Sequence, residues 1–300
     1  MIHHNRPDLT DLAVYSLRAH TNAPHRLLLI NNASDDNLTC LEPDELVVNQ
    51  RPRTFAHNCN LALEQARGER VVLLNNDVFL PPGWLEGLMG GLDLGHGLAG
   101  AVSNFEIPLD LELGGLRVRL GAQGDRQDIR GRWQELAQVL GNFNLAGAFK
   151  APLLKNSVSF YAVAVSRAVI SQVGLLDQRF VHGYEDLDYC LRAWLAGHSV
   201  AACANAYVVH FGGRSTPGAG PEELAERDRH NLAWLRERYP LPVRRRLARA
   251  WAAHGLDEEG RQLWGRIDRR WEWLHSRGGI PLRGPAPRPA LAVVNPSLPV

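Results

Sequence analysis

Apolar blocks of two different periods divide the chain from its first residues. After the turn-like Asn5-Arg6-Pro7-Asp8, residues Leu9, Leu12, Ala13 and Leu17 fall on one helical face. Arg26-Leu27-Leu28-Leu29-Ile30 then reads as a buried strand that breaks into Asn31-Asn32-Ala33-Ser34-Asp35-Asp36-Asn37, and Leu46-Val47-Val48 as a short one. Phe55, Cys59, Leu61, Ala62 and Ala66 suit a helix closed by Gly68 as its C-cap. Val71-Val72-Leu73-Leu74 is a strand buried on both faces that turns polar within one residue, at Asn75-Asn76-Asp77. Pro81-Pro82-Gly83 stops any continuing ladder. This alternation of strand and helix predicts a parallel, Rossmann-like sheet, although no GxGxxG follows any strand, which argues against a dinucleotide fold.

Further along, Trp84 to Leu92 reads as a helix and Leu98 to Val102 as a strand. Residues 105–157 are broken by Gly114-Gly115, Gly121, Gly124 and Gly131 and carry Arg117, Arg119, Arg126, Arg130 and Arg132. A mobile loop over a binding site is the functional expectation there, and a surface excursion the plain one. Strand character resumes from Val158 to Val165, followed by a short helix from Arg167 to Val173 that ends at Gly174. Leu187, Cys190, Leu191, Trp194 and Leu195 form a helical stripe that Gly197 ends. Ser199 to Val209 is a strand ending in His210-Phe211-Gly212-Gly213, and Glu222 to Arg238 a helix. After Pro240 the composition shifts: Trp264, Ile267, Trp271 and Leu274 recur at helical spacing between arginines. The expected organisation is a main domain over 1–240, a small helical appendage over 241–278 and a Pro/Gly-rich tail over 279–300.

Composition narrows the class. The 300 residues are 45% hydrophobic and 22% charged, globular values, and a net charge of +1 gives no signature of a nucleic-acid partner. Cys40, Cys59, Cys190 and Cys203 show neither CxxC nor zinc spacing, so a reducing cytosol is expected. No apolar run reaches the roughly 18 residues of a membrane span. Arg244-Arg245-Arg246 and Arg249 make peripheral contact with an anionic membrane one expectation, and a helix pair packed on the main domain the other.

Two stretches carry candidate chemistry. Asp77 at a strand end, where ligands of open α/β sheets sit, suits a hard divalent cation completed by phosphate and water. Glu185, Asp186 and Asp188 crowd one helix entrance, more acids than capping requires, and Asp188 can pair with Arg192 one turn on. His210 stands at a strand end as Asp77 does.

These segments together resemble the inverting GT-A glycosyltransferases of family 2, particularly their rhamnosyltransferase-like, O-antigen and cell-wall branch, from about Asn5 to Tyr239. The likeness rests on Leu28–Asn37 (the family's VDNxSxDxT), Phe55-Ala56-His57-Asn58-Cys59-Asn60, Leu73–Asp77 with Pro82-Gly83-Trp84-Leu85, Val173–Phe180, Glu185–Asp188 and His210-Phe211-Gly212. The resemblance implies a Rossmann-like, mostly parallel sheet flanked by helices, and transfer of a sugar from a UDP-, dTDP- or GDP-sugar to a hydroxyl of a glycan or lipid-linked acceptor. It implies Mn2+ or Mg2+ at Asp77, with His210 completing the metal shell. It makes Asp186 the base, Glu185 and Asp188 orienting groups, and Asn31, Asn58, Asn75 and Asn76 neighbours of the nucleotide. Asn31 and Asn75 stand where the family usually has Asp. The family's first strand would precede His4, so the sheet is expected to lack it, with Ala290–Asn295 a candidate for the vacant place. A retaining transferase, or a glycan-binding scaffold with a decayed site, is the alternative. A nucleotidyltransferase is disfavoured because no Gly-rich, Lys-bearing phosphate loop follows the first strands.

Overall fold

A computed structural model describes residues 1–35, 43–121, 131–146, 151–212 and 220–276. Its first half follows the predicted alternation: β1 (Ile2–His3), α1 (Pro7–His20), β2 (Leu28–Asn31), β3 (Glu45–Val48), α2 (Phe55–Gln65), β4 (Arg70–Leu74), β5 (Val78–Phe79), α3 (Trp84–Asp93) and β6 (Leu98–Ser103). Then come β7 (Leu109–Leu113), β8 (Leu116–Leu120), α4 (Trp133–Leu145), β9 (Leu153–Leu154), β10 (Ala162–Ser166), α5 (Arg167–Val173), α6 (Glu185–Leu195) and β11 (Val200–His210). Helices α7 (Pro221–Arg238), α8 (Leu241–Ala252) and α9 (Asp257–Ser276) follow.

Strands β1, β2 and β3 pair in parallel, and β4-β10-β6-β11-β5 form the larger sheet. A single parallel bridge, Ile2 to Asn75, joins the two. Strands β1, β2, β3, β4, β6 and β11 run one way, whereas β5, β9 and β10 run the other. The α/β class holds, with a mixed sheet. The place between β2 and β4 that was expected to be vacant holds Ile2 and His3 at its cleft end, bonded through Ile30 N–H to Met1 O (2.9 Å) and Asn32 N–H to His3 O (2.8 Å). The Ala290–Asn295 strand suggested for that place lies outside the described residues, as do Cys40, Arg126 and Arg130.

Two local expectations change. Helix α2 ends at Ala66 in extended conformation, two residues before Gly68. Within 105–157, β7 and β8 form a hairpin across Gly114-Gly115, in register from Leu109–Leu120 to Leu113–Leu116. Leu113, Val118 and Leu120 pack into the core beside Phe211 and Leu136 of α4, so this part of the segment is built into the body of the fold.

The core explains the order of the sheet. Strands β6 and β10 are buried along almost their whole length, and each fully buried Val or Leu contributes roughly 1.5–3 kcal/mol. Helix α3 crosses β11 so closely that a Cβ on Gly87 would stand 2.6 Å from Asn205 O. Leu247, Trp251, Leu263, Ile267 and Leu274 of α8 and α9 belong to the same apolar cluster as Val163, Tyr189 and Trp194. The apolar stripe of these basic helices is therefore used against protein, the stripe that insertion into a lipid interface would require. Among the described residues, no helix is long and apolar enough to cross a membrane.

Candidate functional site

The carboxyl ends of β1 and β4, the start of α2, the entrance of α6 and the end of β11 surround one cleft of about 360 Å³. Asn58, Asn75, Asn76, Asp77, Glu185, Asp186 and His210 all line it. Asp77 and Asp186, more than a hundred positions apart, therefore face common space. Asn31 and Asp188 do not line it.

Asp77 reaches the cleft because β4 stops at Leu74 and the chain turns over three polar residues before β5. Phe211 N–H donates to Asp77 O (2.8 Å), tying that turn to the end of β11. Behind it, Asn76 Nδ2 donates to Thr10 Oγ1 (2.8 Å) and Asn5 O (3.2 Å), so its amide braces the turn against α1. Asp77 is 3% exposed, and its Oδ1 is buried without a hydrogen-bond partner among the described residues. His210 Nε2 stands 3.3 Å from that oxygen but lacks hydrogen-bond geometry toward it. The imidazole is held between two rings, stacked on Tyr161 (4.7 Å between centroids) and tilted against Phe105 (5.2 Å). Tyr161 is fixed in turn by its hydroxyl, which donates to Ala101 O (2.7 Å). Gly212 lets the chain leave past Phe105: its φ is +58°, and a Cβ there would lie 2.5 Å from the ring.

A buried carboxylate oxygen beside an imidazole nitrogen brings together two donor atoms of the kinds that ligate divalent cations. Among the described residues no group of three or more His, Cys, Asp or Glu could hold a metal alone. A hard divalent ion would need its other positions filled by ligand phosphate oxygens and water, the usual arrangement for Mg2+. Asp77 and His210 fit such an ion in that limited sense.

The opposite wall is the entrance of α6, aimed by its preceding loop. Asn231 of α7 accepts from Val181 N–H (2.9 Å) and donates to Val181 O (2.9 Å) and Gly183 O (3.2 Å). His182, Gly183 and Tyr184 follow with φ of 46°, 141° and 71°, a turn held by those bonds. Glu185 Oε2 accepts from Gly183 N–H (2.6 Å), and Asp186 Oδ1 from Leu187 N–H (2.7 Å). The helix dipole and these bonds favour ionised acids, but burial outweighs them. Burial, then the Asp186 charge, pushes Glu185 up to about 7, and burial also raises Asp186 above the ordinary aspartate value. Burial, then the Arg227 charge, lowers His182, favouring a neutral imidazole on this wall.

Asp188 faces the other side of α6. It is fully buried, paired with Arg192 Nε (2.8 Å) and Arg238 Nε (2.7 Å), and accepts from Tyr239 Oη (2.7 Å). That network pins α6 to α7, and it satisfies the i, i+4 pairing with Arg192 read from the sequence. The amide of Asn31 is also turned away: its Oδ1 accepts from Ser34 N–H (2.8 Å) and its Nδ2 donates to Ser34 O (3.2 Å). Asn32, one residue on, lines the cleft in its place.

His4, Arg53, Tyr161 and His182 also line the cleft and were not singled out in the sequence. Three of them lie within three residues of a segment that was: His4 before Asn5-Arg6-Pro7, Arg53 before Phe55, His182 before Glu185-Asp186. Tyr161 had no such signal, since it sits inside the apolar run of Val158 to Val165.

Residues 1–106 match the family model "Glycosyl transferase family 2". No curated protein matches the chain. Among solved structures, GalNAc-T7 with UDP, GalNAc and Mn2+ superposes with a TM-score of 0.52 at 14% identity, over 85% of this chain and 54% of its own. The mannosyltransferase PcManGT from Pyrobaculum calidifontis, in complex with GDP-Man and Mn2+, gives 0.52 at 15% identity, over 93% of this chain and 75% of its own. The chain thus spans about half the length of the first of these and three quarters of the second, and it shares their GT-A fold.

Proposed function

We propose that the cleft transfers a sugar from a nucleoside-diphosphate sugar to a hydroxyl of a glycan or lipid-linked acceptor, with inversion at the anomeric carbon. The observation that carries this is the pairing across one cleft of an orphaned buried carboxylate, Asp77, with a second acid at a helix entrance, Asp186. The two similar structures contain Mn2+ with a nucleotide or nucleotide sugar, which supports a donor of that class.

Asp77 and His210 would hold Mn2+ or Mg2+ against the donor's diphosphate. The cation would supply Lewis-acid stabilisation of the charge that grows on the departing nucleoside diphosphate. Asn76 and Tyr161 keep the two ligands in place. Asp186 accepts the proton of the acceptor hydroxyl while that oxygen bonds to the anomeric carbon. The bond from that carbon to the diphosphate oxygen breaks on the opposite face, and its electron pair leaves with the nucleotide. A carboxylate whose pKa is raised is a stronger base once ionised, which suits this step. Glu185 shares the wall, and a proton on it leaves Asp186 as the charged member of the pair.

Glu185 makes stability depend on pH. Its folded-state value is raised from 4.5 to about 7, so the folded protein holds a proton that the unfolded chain has already released. Its contribution is therefore full below the ordinary glutamate value and is lost as pH rises toward 7, on the order of 3 kcal/mol at most. Glu185→Gln should flatten the fall in melting temperature between those limits. Parallel melting curves for wild type and variant would remove Glu185 as the source.

The transferase reading is tested by incubating the protein with UDP-, GDP- and dTDP-sugars and Mn2+ without acceptor. Slow release of nucleoside diphosphate from one donor is expected, stopped by chelation. No release from any donor, together with no nucleotide binding, would favour a scaffold.

A further inference from the structure

The wall of the cleft beside β2 and β3 is a chain of asparagine amides whose orientation is fixed by backbone groups at one end. Asn32 Oδ1 accepts from Arg53 N–H (2.8 Å), and Asn32 Nδ2 donates to Arg53 O (3.0 Å). A backbone N–H can only donate and a backbone carbonyl can only accept, so the Asn32 amide has one possible orientation. The same Asn32 Oδ1 lies 3.0 Å from Asn49, whose contacting atom must then be its nitrogen. That nitrogen also reaches Asn58 at 2.7 Å, so the Asn58 atom there must be Oδ1. The remaining polar atom of Asn58 is therefore Nδ2. It is buried with no hydrogen-bond partner among the described residues, on a residue that is 1% exposed and lines the cleft.

A buried donor left unpaired is costly, and the ligand that occupies the cleft is what can pair it. Asn32 follows β2 and Asn49 follows β3, with β1 between β2 and the end of β4 that carries Asp77. At about 4.8 Å per strand, the tips of β2 and β3 stand roughly 10–15 Å from the tip of β4. The diphosphate belongs at Asp77 and His210 and the transferred sugar must face Asp186, which leaves this amide wall to the nucleoside.

We propose that Asn58 Nδ2 donates to the exocyclic oxygen of the donor's nucleobase at C4 of a pyrimidine or C6 of a purine, with Asn49 as the positioning residue that sets its orientation. The inference rests on the nucleotide-sugar reading above. It assigns the site to oxo bases (uracil, thymine, guanine), because the corresponding group of cytosine or adenine is an amine that would meet Asn58 donor to donor. The base specificity is thus written in Asn32, Asn49 and Asn58, although the amide of Asn31 is turned onto Ser34.

The test is titration calorimetry with Mn2+ and four nucleoside diphosphates, comparing UDP with CDP and GDP with ADP. In the ring class that binds, the oxo member should bind more tightly by about tenfold or more, as expected where a site is built around one hydrogen bond. Asn58→Asp replaces the donor by an acceptor while keeping the oxygen that Asn49 bonds, and it should shrink or invert that ratio. Asn49→Leu frees Asn58 to turn over and should bring the ratio toward one without abolishing binding. If Asn49→Leu does not fold, Asn58→Asp carries the test alone. An amino-base nucleotide binding as well as its oxo partner, or a ratio unmoved by Asn58→Asp, would overturn the assignment while leaving the donor reading intact. Failure of all four to bind would overturn both.

Discussion

Asp186→Asn is expected to reduce sugar transfer by about 10²–10⁴-fold while leaving nucleotide binding close to that of the wild type. The substitution keeps the shape of the side chain and the acceptor oxygen that meets Leu187 N–H, so the entrance of α6 should stay in place. What it removes is the ability to take a proton. Because the side chain acts on the acceptor hydroxyl, the loss belongs in turnover with saturating donor, and the dissociation constant of the nucleoside diphosphate is its internal control. A fall in donor affinity comparable to the fall in rate would mean that Asp186 shapes the donor pocket. Retained turnover would remove it as the base. Asp188→Asn gives a useful contrast, since that side chain is held by Arg192, Arg238 and Tyr239 away from the cleft, and its loss acts on the packing of α6.

Asp77→Ala should abolish the dependence of nucleotide binding on Mn2+. With the wild type, adding the ion should tighten nucleoside diphosphate binding by about a hundredfold, close to 2.7 kcal/mol, and the variant should bind equally weakly with and without it. The expectation follows from a buried oxygen that has no hydrogen-bond partner among the described residues and lies 3.3 Å from His210 Nε2. Two protein donors cannot satisfy an octahedral ion, so ion and diphosphate bind as a unit and each should strengthen the other. His210→Ala should give a smaller loss of the same kind. Mn2+ enhancement that survives in Asp77→Ala would move the cation elsewhere.

The parts of this site that were legible in the sequence are those where a rigid element ends abruptly. Val71 to Leu74 is apolar on both faces and Asn75-Asn76-Asp77 is not, so the side chains at that break needed solvent, a ligand or, as Asn76 finds on Thr10, a polar partner within the fold. The stripe of Cys190, Leu191 and Trp194 fixed which face of α6 is buried, and hence that its acids lie at the entrance. Other features had no such signal. Strand β10 is buried on both faces, and such a run reads the same whichever way it points, so its antiparallel setting between β4 and β6 comes only from the fold. Strand β1 is too short for periodicity, and its position depends on Ile30 and Asn75, both distant in sequence.

The hairpin of β7 and β8 had a signal that the glycines obscured. Leu109, Leu111 and Leu113 alternate with Asp110 and Glu112, and Leu116, Val118 and Leu120 with Arg117 and Arg119, around Gly114-Gly115. That is period two about a tight turn, with positive φ at both glycines. Asn31 and Asn32 differ because successive residues leaving a strand point to opposite sides, so the amide of Asn31 meets Ser34 while Asn32 meets the cleft, which the motif alone does not tell. Asn49 was invisible because its importance lies in two contacts, to Asn32 and Asn58, that link β3 to β2 and α2.

The most direct measurement is anomalous diffraction at the manganese edge from crystals grown with Mn2+ and the nucleoside diphosphate that binds most tightly. One strong peak is predicted about 2.1 Å from Asp77 Oδ1, within coordination reach of His210 Nε2, with the diphosphate oxygens on the same ion and the Asp186 carboxylate facing the open side of the terminal phosphate. A cation bound away from Asp77, or a diphosphate whose terminal phosphate points away from Asp186, would contradict the assignment of this cleft to glycosyl transfer.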